Sequence, residues 1–223
     1  SVVLGALYNT AGVDSLCGDL GSALLTYERC LERPESFETS RDHAKVLSNL
    51  GDAYRSFLRY DESVATQLKS IELFEELGLD LNLAISEVSL GGCLCAAGRF
   101  AEAGAAYARG AEHAQRAGYA RGIDCAPFYR SDVLTLSGDT SEAKALIDAA
   151  LPALEKHPVY DLGCHEIAAR VYRRAQAWDA AEAQLKEGLR RSESFHELHG
   201  MLLLEAVRLA QVRERGAESA RLR

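Results

Sequence analysis

Apolar residues recur every three or four positions along most of the chain, a pattern that predicts amphipathic helices. The helices come in pairs, each made of one helix, a tight turn and a second helix rich in small residues. The clearest pair is the stretch Leu90–Gly110, LGGCLCAAGRFAEAGAAYARG, with its turn at Gly98. Small residues on the second helix let the first helix pack closely against it. This stretch is therefore expected to form a helical hairpin.

The hairpin pattern returns at a fixed spacing. A small residue opens each second helix; these residues lie 40 positions apart, with a last step of 38, at Ala23, Ser63, Ala103, Ala143 and Ala181. A fixed period between 20 and 50 residues is the signature of a repeat array. We therefore expect tight turns at Gly18, Leu58, Gly98, Gly138 and near Gln176. Ala103 and Ala143 should be buried between paired helices.

Helix-ending residues set the expected boundaries of the repeats. Pro34 and Pro158 cannot continue a helix, and Gly78 suits a helix C-terminus. The repeats are expected at about 1–33, 38–78, 81–118, 119–157 and 160–193. The sequence thus predicts a repeat array over residues 1–193 and an unpaired C-terminal helix, capping or connecting, over 194–223.

Composition narrows the possible partners and the compartment. The net charge is −8 with acids and bases interspersed, which argues against nucleic-acid and anionic-membrane partners. No apolar run approaches the length of a membrane span, and the sequence shows no charged-then-apolar leader pattern with a small-residue cleavage site. The six cysteines show no disulfide spacing, which fits a cytoplasmic protein. The chain lacks an initial Met and stops at Arg223 inside a helical pattern, so we expect a fragment of a larger protein.

Two motifs resemble a known repeat family. The second repeat reads L-x2-L-G-x2-Y on its first helix, and two second helices carry a small residue followed four positions later by a tyrosine. The residues are Leu47, Leu50, Gly51 and Tyr54, with the pairs Ala23/Tyr27 and Ala103/Tyr107. The pattern resembles the tetratricopeptide repeat. It departs from it at Gln67, which replaces the second-helix aromatic, and in its period of about 40 residues.

The resemblance implies an all-α fold, a right-handed superhelical solenoid of five helix pairs plus a C-terminal helix. The longer period is similar to that of repeat domains in large bacterial signalling proteins and LuxR-family-like transcriptional regulators. The last repeat and tail are similar to the ends of arrays that precede GGDEF-type diguanylate cyclases, where a final helix continues into a connecting coiled coil. A helix that only caps the last repeat is the alternative, and both interpretations stay open.

Motifs for catalysis, cofactors and metals are absent from the sequence. There is no GxxxxGK[ST], GxSxG or HExxH pattern. Cys164, His165, His196 and His199 are the residues closest to a zinc-ligand set, but their spacing matches no common zinc motif. We therefore expect no enzyme activity, no cofactor and no metal.

The family resemblance implies that the first helices line a concave groove. The candidate groove residues are Lys45, Asn49, Asp52 and Arg55 in the second repeat, Phe128, Tyr129 and Asp132 in the fourth, and Arg170, Arg173 and Arg174 in the fifth. The third repeat offers a small apolar floor of Val88, Gly92, Cys95 and Ala96. Such a groove would suit a peptide with an apolar centre and an acidic end. Alternatively, the arginines pair with Glu166 and neighbouring carboxylates of the chain itself.

These patterns predict a non-catalytic, regulatory domain that binds a protein or peptide in its groove. It would serve as the sensor or scaffold of a larger bacterial signalling protein or transcriptional regulator. The alternative is a self-association domain attached to an enzyme output domain such as a diguanylate cyclase, pairing as a homodimer through the groove or the C-terminal helix.

Overall fold

The structure, a computed structural model, describes residues 2–16, 18–32, 37, 39–154, 162–192 and 196–221. Within these residues the chain forms helices and turns, and no β-strand occurs. None of the helices in the described part is long and apolar enough to cross a membrane. The all-α prediction is confirmed.

Contacts divide the chain into two compact units, an N-terminal unit of Ser1–Ala126 and a C-terminal unit of Pro127–Arg223. The first six helices belong to the N-terminal unit: α1 Val2–Leu16, α2 Leu20–Leu31, α3 Ser40–Ser56, α4 Tyr60–Glu76, α5 Asp80–Ala96 and α6 Phe100–Arg116. Helix α7, Ala120–Ser137, includes the boundary. The C-terminal unit continues with α8 Thr140–Leu154, α9 Leu162–Arg174, α10 Trp178–Arg191 and α11 His196–Arg221.

Each expected turn contains one residue in the left-handed backbone conformation. The φ angles are 83° at Gly18, 60° at Leu58, 77° at Gly98, 102° at Gly138 and 58° at Gln176. The same conformation recurs between successive hairpins at Gly78 and Gly118. The turn positions predicted from the period are therefore confirmed, including the two that lack glycine.

Backbone hydrogen bonds explain why one turn shape serves different residues. At the Gly98 turn, the N–H of Arg99 donates to the carbonyl of Leu94 at 2.8 Å, and the N–H of Gly98 donates to Cys95 at 3.0 Å. This pair of bonds is the Schellman motif, which satisfies the last carbonyls of a helix. The turn at Leu58 has the same bonds, from Arg59 to Tyr54 at 2.9 Å and from Leu58 to Arg55 at 3.0 Å.

Glycines on the first helices allow the second helices to approach closely. A Cβ atom on Gly91 would lie 2.5 Å from Cδ1 of Tyr107, and one on Gly51 would lie 2.8 Å from Cγ of Gln67. Real Cβ atoms do not tolerate such distances, so only glycine fits at either position. Ala103 is completely buried, as expected. Gln67 thus lies over Gly51 in α3 as Tyr107 lies over Gly91 in α5.

Buried polar side chains accompany Gln67 in the α3–α4 hairpin. The Gln67 amide donates to the backbone carbonyl of Ser48 at 2.8 Å, and the Ser63 hydroxyl donates to the carbonyl of Gly51 at 2.8 Å. The Ser70 hydroxyl donates to the carbonyl of Ala44 at 2.7 Å. Because each of these buried donors has an acceptor, the hairpin avoids the cost of unpaired polar groups at these positions.

Candidate functional site

Helix α5 leaves an apolar strip uncovered in the N-terminal unit. Leu81 and Ile85 are 46% and 47% exposed, and Val88 and Gly92 are half-buried. Their spacing of four, three and four residues puts all four on one side of the helix. We call these four residues the α5 strip. It is a first-helix surface, and Val88 and Gly92 belong to the apolar floor predicted from the sequence.

The groove candidates of α3 are half-buried and only loosely paired. Lys45 lies 3.7 Å from Asp42, and Arg55 lies 3.9 Å from Asp52. Asp52 also accepts a hydrogen bond from the hydroxyl of Ser89 in α5 at 3.2 Å, so the two first helices are linked side by side. Pairs of this length and exposure contribute little to stability. All three charged side chains thus already have partners within the chain.

Asn49 links helix α3 to the preceding hairpin. Its amide nitrogen donates to the hydroxyl of Tyr8 at 3.2 Å and to the hydroxyl of Tyr27 at 3.3 Å. Burial raises the pKa of Tyr27, so this phenol stays protonated. Asn49 thus has a structural role, positioning α3 against α1 and α2.

The aromatic pair of the fourth repeat divides between core and surface. Phe128 is 0% exposed and belongs to the core, so its prediction as a ligand contact was wrong. The adjacent Tyr129 is half-buried and reaches the surface. Successive residues on a helix point about 100° apart, which is why the two separate. Sequence alone showed that they must differ but not which one is buried.

Two of the three candidate arginines in the fifth repeat pair with carboxylates of the chain. Arg170 lies 2.8 Å from Asp132 and 3.2 Å from Glu166. Arg173 bonds to Glu205 of α11. The internal pairing considered as the alternative is therefore what the structure shows for these two residues, whereas Arg174 is exposed. An acidic ligand would have to displace buried carboxylates to reach them.

Asp132, Glu166 and Glu205 form what we call the carboxylate cluster. Burial raises the pKa of Glu166 to about 7, although the charge of Arg170 opposes the shift. Burial likewise raises the pKa of Asp132. Glu205 was missed from the sequence, although it lies between Leu202 and Leu209 on the buried face of α11. In the sequence, a single acidic residue on an otherwise apolar helix face was the sign that this acid is buried and paired with a basic side chain.

The cysteine and histidine side chains of the described residues lie in structural surroundings. No group of three His, Cys, Asp or Glu side chains there could hold a metal ion, and the side chain of His196 lies outside that part. His165 hydrogen-bonds to Gln184 at 2.8 Å, and His199 to Ser192 at 2.8 Å. Burial raises the pKa of Cys93 to about 11, so this thiol stays protonated and unreactive.

Comparison with known proteins gives a family match and a set of fold matches. The model of the tetratricopeptide repeat matches residues 42–116, which span α3 to α6. A comparison with curated proteins gave no match.

Solved structures resemble the chain over most of its length. A Rap protein complexed with competence and sporulation factor has a TM-score of 0.74 at 17% identity, covering 85% of this chain and 54% of that one. The Rap conjugation gene regulator of plasmid pLS20, in complex with the Phr* peptide, has a TM-score of 0.72 at 17% identity, covering 85% and 53%. The chain therefore spans about half the length of these two Rap proteins.

A shorter protein matches almost from end to end. A thermophilic tetratricopeptide-repeat protein of Thermus thermophilus has a TM-score of 0.62 at 17% identity, covering 92% of this chain and 99% of its own. At this identity the similarity shows the fold and not the function. Residues 42–116 thus match the tetratricopeptide repeat, and the chain has the fold of tetratricopeptide-repeat proteins.

Proposed function

We propose that the chain is a non-catalytic domain that binds a protein or peptide segment on the first-helix surface of its N-terminal unit. The observation that carries this proposal is the α5 strip, whose two largest side chains, Leu81 and Ile85, are nearly half exposed. Contiguous exposed apolar surface rimmed by polar residues marks interaction sites. Lys45, Asp52 and Arg55 provide that polar rim on the adjacent helix α3.

The chemistry of this surface suggests the ligand. An apolar segment would pack on the α5 strip, and flanking charges of either sign would meet Lys45, Arg55 or Asp52. The ion-paired arginines of the fifth repeat would not form its anchor, because Arg170 and Arg173 pair within the chain. The ligand is therefore expected to be amphipathic rather than strongly acidic.

We place the domain in a larger bacterial signalling or transcription-regulating protein of the cytoplasm, as its sensor or scaffold. Two Rap proteins with a similar fold are complexed with competence and sporulation factor or with the Phr* peptide, and both are longer chains. No disulfide joins the described cysteines, which suits a reducing compartment; they are Cys30, Cys93, Cys95, Cys125 and Cys164.

Self-association is the second candidate. Helix α11 exposes Leu203, Leu204 and Val207, which lie within an arc of about 100° on its surface. Two copies of the chain could bury this surface by pairing α11 helices, as a domain attached to an output enzyme would require. Leu204→Glu would then shift the sedimentation of the chain from dimer to monomer, with no effect on peptide binding.

The proposal is tested by selecting peptides from a displayed library on the full chain and measuring their affinity by calorimetry. Ile85→Glu should weaken the Kd of a selected peptide about tenfold or more, because a charge replaces an apolar contact. Leu68→Glu is the matched control, since Leu68 is 45% exposed but lies on the second helix α4.

Equal affinity for wild type and Ile85→Glu would show that the α5 strip is not the binding surface. A loss of affinity in Leu68→Glu alone would move the site to the second helices. Circular dichroism of each variant confirms that the helices are retained.

A further inference from the structure

The C-terminal unit buries three carboxylates that come from three different helices. Asp132 of α7, Glu166 of α9 and Glu205 of α11 are 6%, 5% and 0% exposed. Two largely buried guanidinium groups face them, those of Arg170 and Arg173. Within this cluster, three buried acids thus face two largely buried arginines.

A third base contacts the cluster only from its rim. Arg208 of α11 lies 3.2 Å from Glu205, but half of its side chain remains in solvent. Its charge is therefore screened by water and compensates the buried acids only in part. One negative charge of the cluster remains incompletely balanced.

An incompletely balanced charge is costly in a protein interior, and a bound proton removes it. Glu166 is the carboxylate of the cluster whose negative charge is least well compensated. Its nearest described cation is Arg170, at 3.2 Å. Arg170 also pairs with Asp132, and this second distance is shorter, at 2.8 Å. The charged groups that influence Glu166 are Arg170, Asp132, Glu205 and Arg208, from all three helices.

Two of these four groups belong to helix α11. Glu205 adds a negative charge to the cluster only while α11 is docked, and docking also withdraws the cluster from water. Releasing α11 would separate Glu205 from Glu166 and readmit solvent. We propose that docking of α11 on α9 is linked to protonation of Glu166, so that the terminal helix is held firmly in mildly acidic solution and is released more readily in mildly alkaline solution.

The direction of the linkage follows from the carboxyl group. Burial raises the pKa of Glu166 from 4.5 to about 7 in the docked state, whereas a solvated glutamate keeps its ordinary pKa. Docking therefore takes up a proton between these two values. Docking weakens as the pH rises through that range and levels off above it.

Hydrogen exchange of the backbone amides in the full chain tests the proposal. After correction for the chemical exchange rate, the opening equilibrium of α11 should rise on the order of tenfold from about pH 5.5 to about pH 8.5. Helices α4 and α6 of the N-terminal unit serve as the internal control and should not follow it.

Glu166→Gln supplies a neutral side chain of the same shape, so α11 should remain protected at both pH values in this variant. His165 and His199 remain in place, so the difference between the two profiles isolates Glu166. Glu182→Gln is the matched control; it removes an exposed ion pair between α10 and Arg213 of α11 and should keep the wild-type pH response.

Either of two results would overturn the proposal. The first is that hydrogen exchange of α11 in the wild type depends on pH no more than that of α4 and α6; this result requires no variant. The second is that hydrogen exchange of α11 in Glu166→Gln keeps the full pH dependence of the wild type.

Discussion

Single residues determine how closely the helices of one hairpin approach. Gly91 and Gly92 are adjacent on α5 but differ in what lies above them. A Cβ on Gly91 would collide with the Tyr107 ring, whereas one on Gly92 would lie 3.9 Å from the Tyr107 hydroxyl. The same residue type is therefore essential at one position and replaceable at the next.

Gly91→Ala should destabilise the N-terminal unit by about 2 kcal/mol, because the buried Tyr107 ring must shift to relieve the overlap. Gly92→Ala is the matched control and should be neutral or stabilising by up to about 1 kcal/mol, since alanine favours helix. Urea denaturation followed by circular dichroism measures both. Equal midpoints for the two variants would show that the close contact with Tyr107 does not contribute.

Particular residues also show which features could be predicted from the sequence and which could not. The turn positions at Leu58 and near Gln176 were predicted from the period alone, because the period places every hairpin turn; their left-handed backbone came from the structure. The burial of Phe128 was not, because helical periodicity gives a face only when the neighbouring helices are known. Pairing of Arg170 with Asp132 depends on two helices far apart in sequence, which no local pattern encodes.

At the scale of helices, an ion pair between a buried carboxylate and a half-exposed guanidinium joins α5 and α6. Glu87 is almost fully buried, and both of its carboxylate oxygens accept hydrogen bonds from Arg109, at 2.6 and 2.8 Å. The preceding repeat has Leu47 and Lys69 at these positions, 40 residues earlier. The pair is thus particular to this hairpin and not required by the repeat.

Arg109→Met should cost about 2–4 kcal/mol of stability, because it leaves the Glu87 carboxylate buried without a partner. The double variant Glu87→Leu/Arg109→Met should recover most of this loss, since an apolar pair needs no compensation. Thermal melts of the two variants measure the difference. Equal melting temperatures would mean that Glu87 reaches solvent or another cation once Arg109 is removed.

At the scale of the whole chain, the carboxylate cluster lies in one compact unit and the α5 strip in the other. The only tryptophan, Trp178, lies in the C-terminal unit, so its fluorescence reports on that unit while circular dichroism reports on both. The two signals therefore separate the stabilities of the two units.

Tryptophan-detected urea unfolding should shift to lower midpoints as the pH rises from 5 to 8. Because the folded pKa of Glu166, about 7, exceeds its ordinary value, the unfolded state binds fewer protons between the two, and stability falls with rising pH. The loss is on the order of 1–3 kcal/mol. Glu166→Gln should flatten the profile. An unchanged midpoint in the wild type would show that Glu166 is ionised throughout.

Successive hairpins use different side chains at the close contact between their two helices, and this difference affects how reliably the helices pair during folding. In one hairpin, Gln67 packs over Gly51 and its amide donates to the Ser48 carbonyl. In the next hairpin, Tyr107 packs over Gly91. Arrays of near-identical repeats risk pairing a helix with the wrong neighbour or exchanging it between two chains. A misplaced α4 would bury the Gln67 carbonyl oxygen without the Ser48 hydroxyl that donates to it at 3.3 Å, because the equivalent residue of α5 is Val88. In these two hairpins the buried contacts therefore favour the correct second helix over the other, which disfavours misassembly while the chain is still folding.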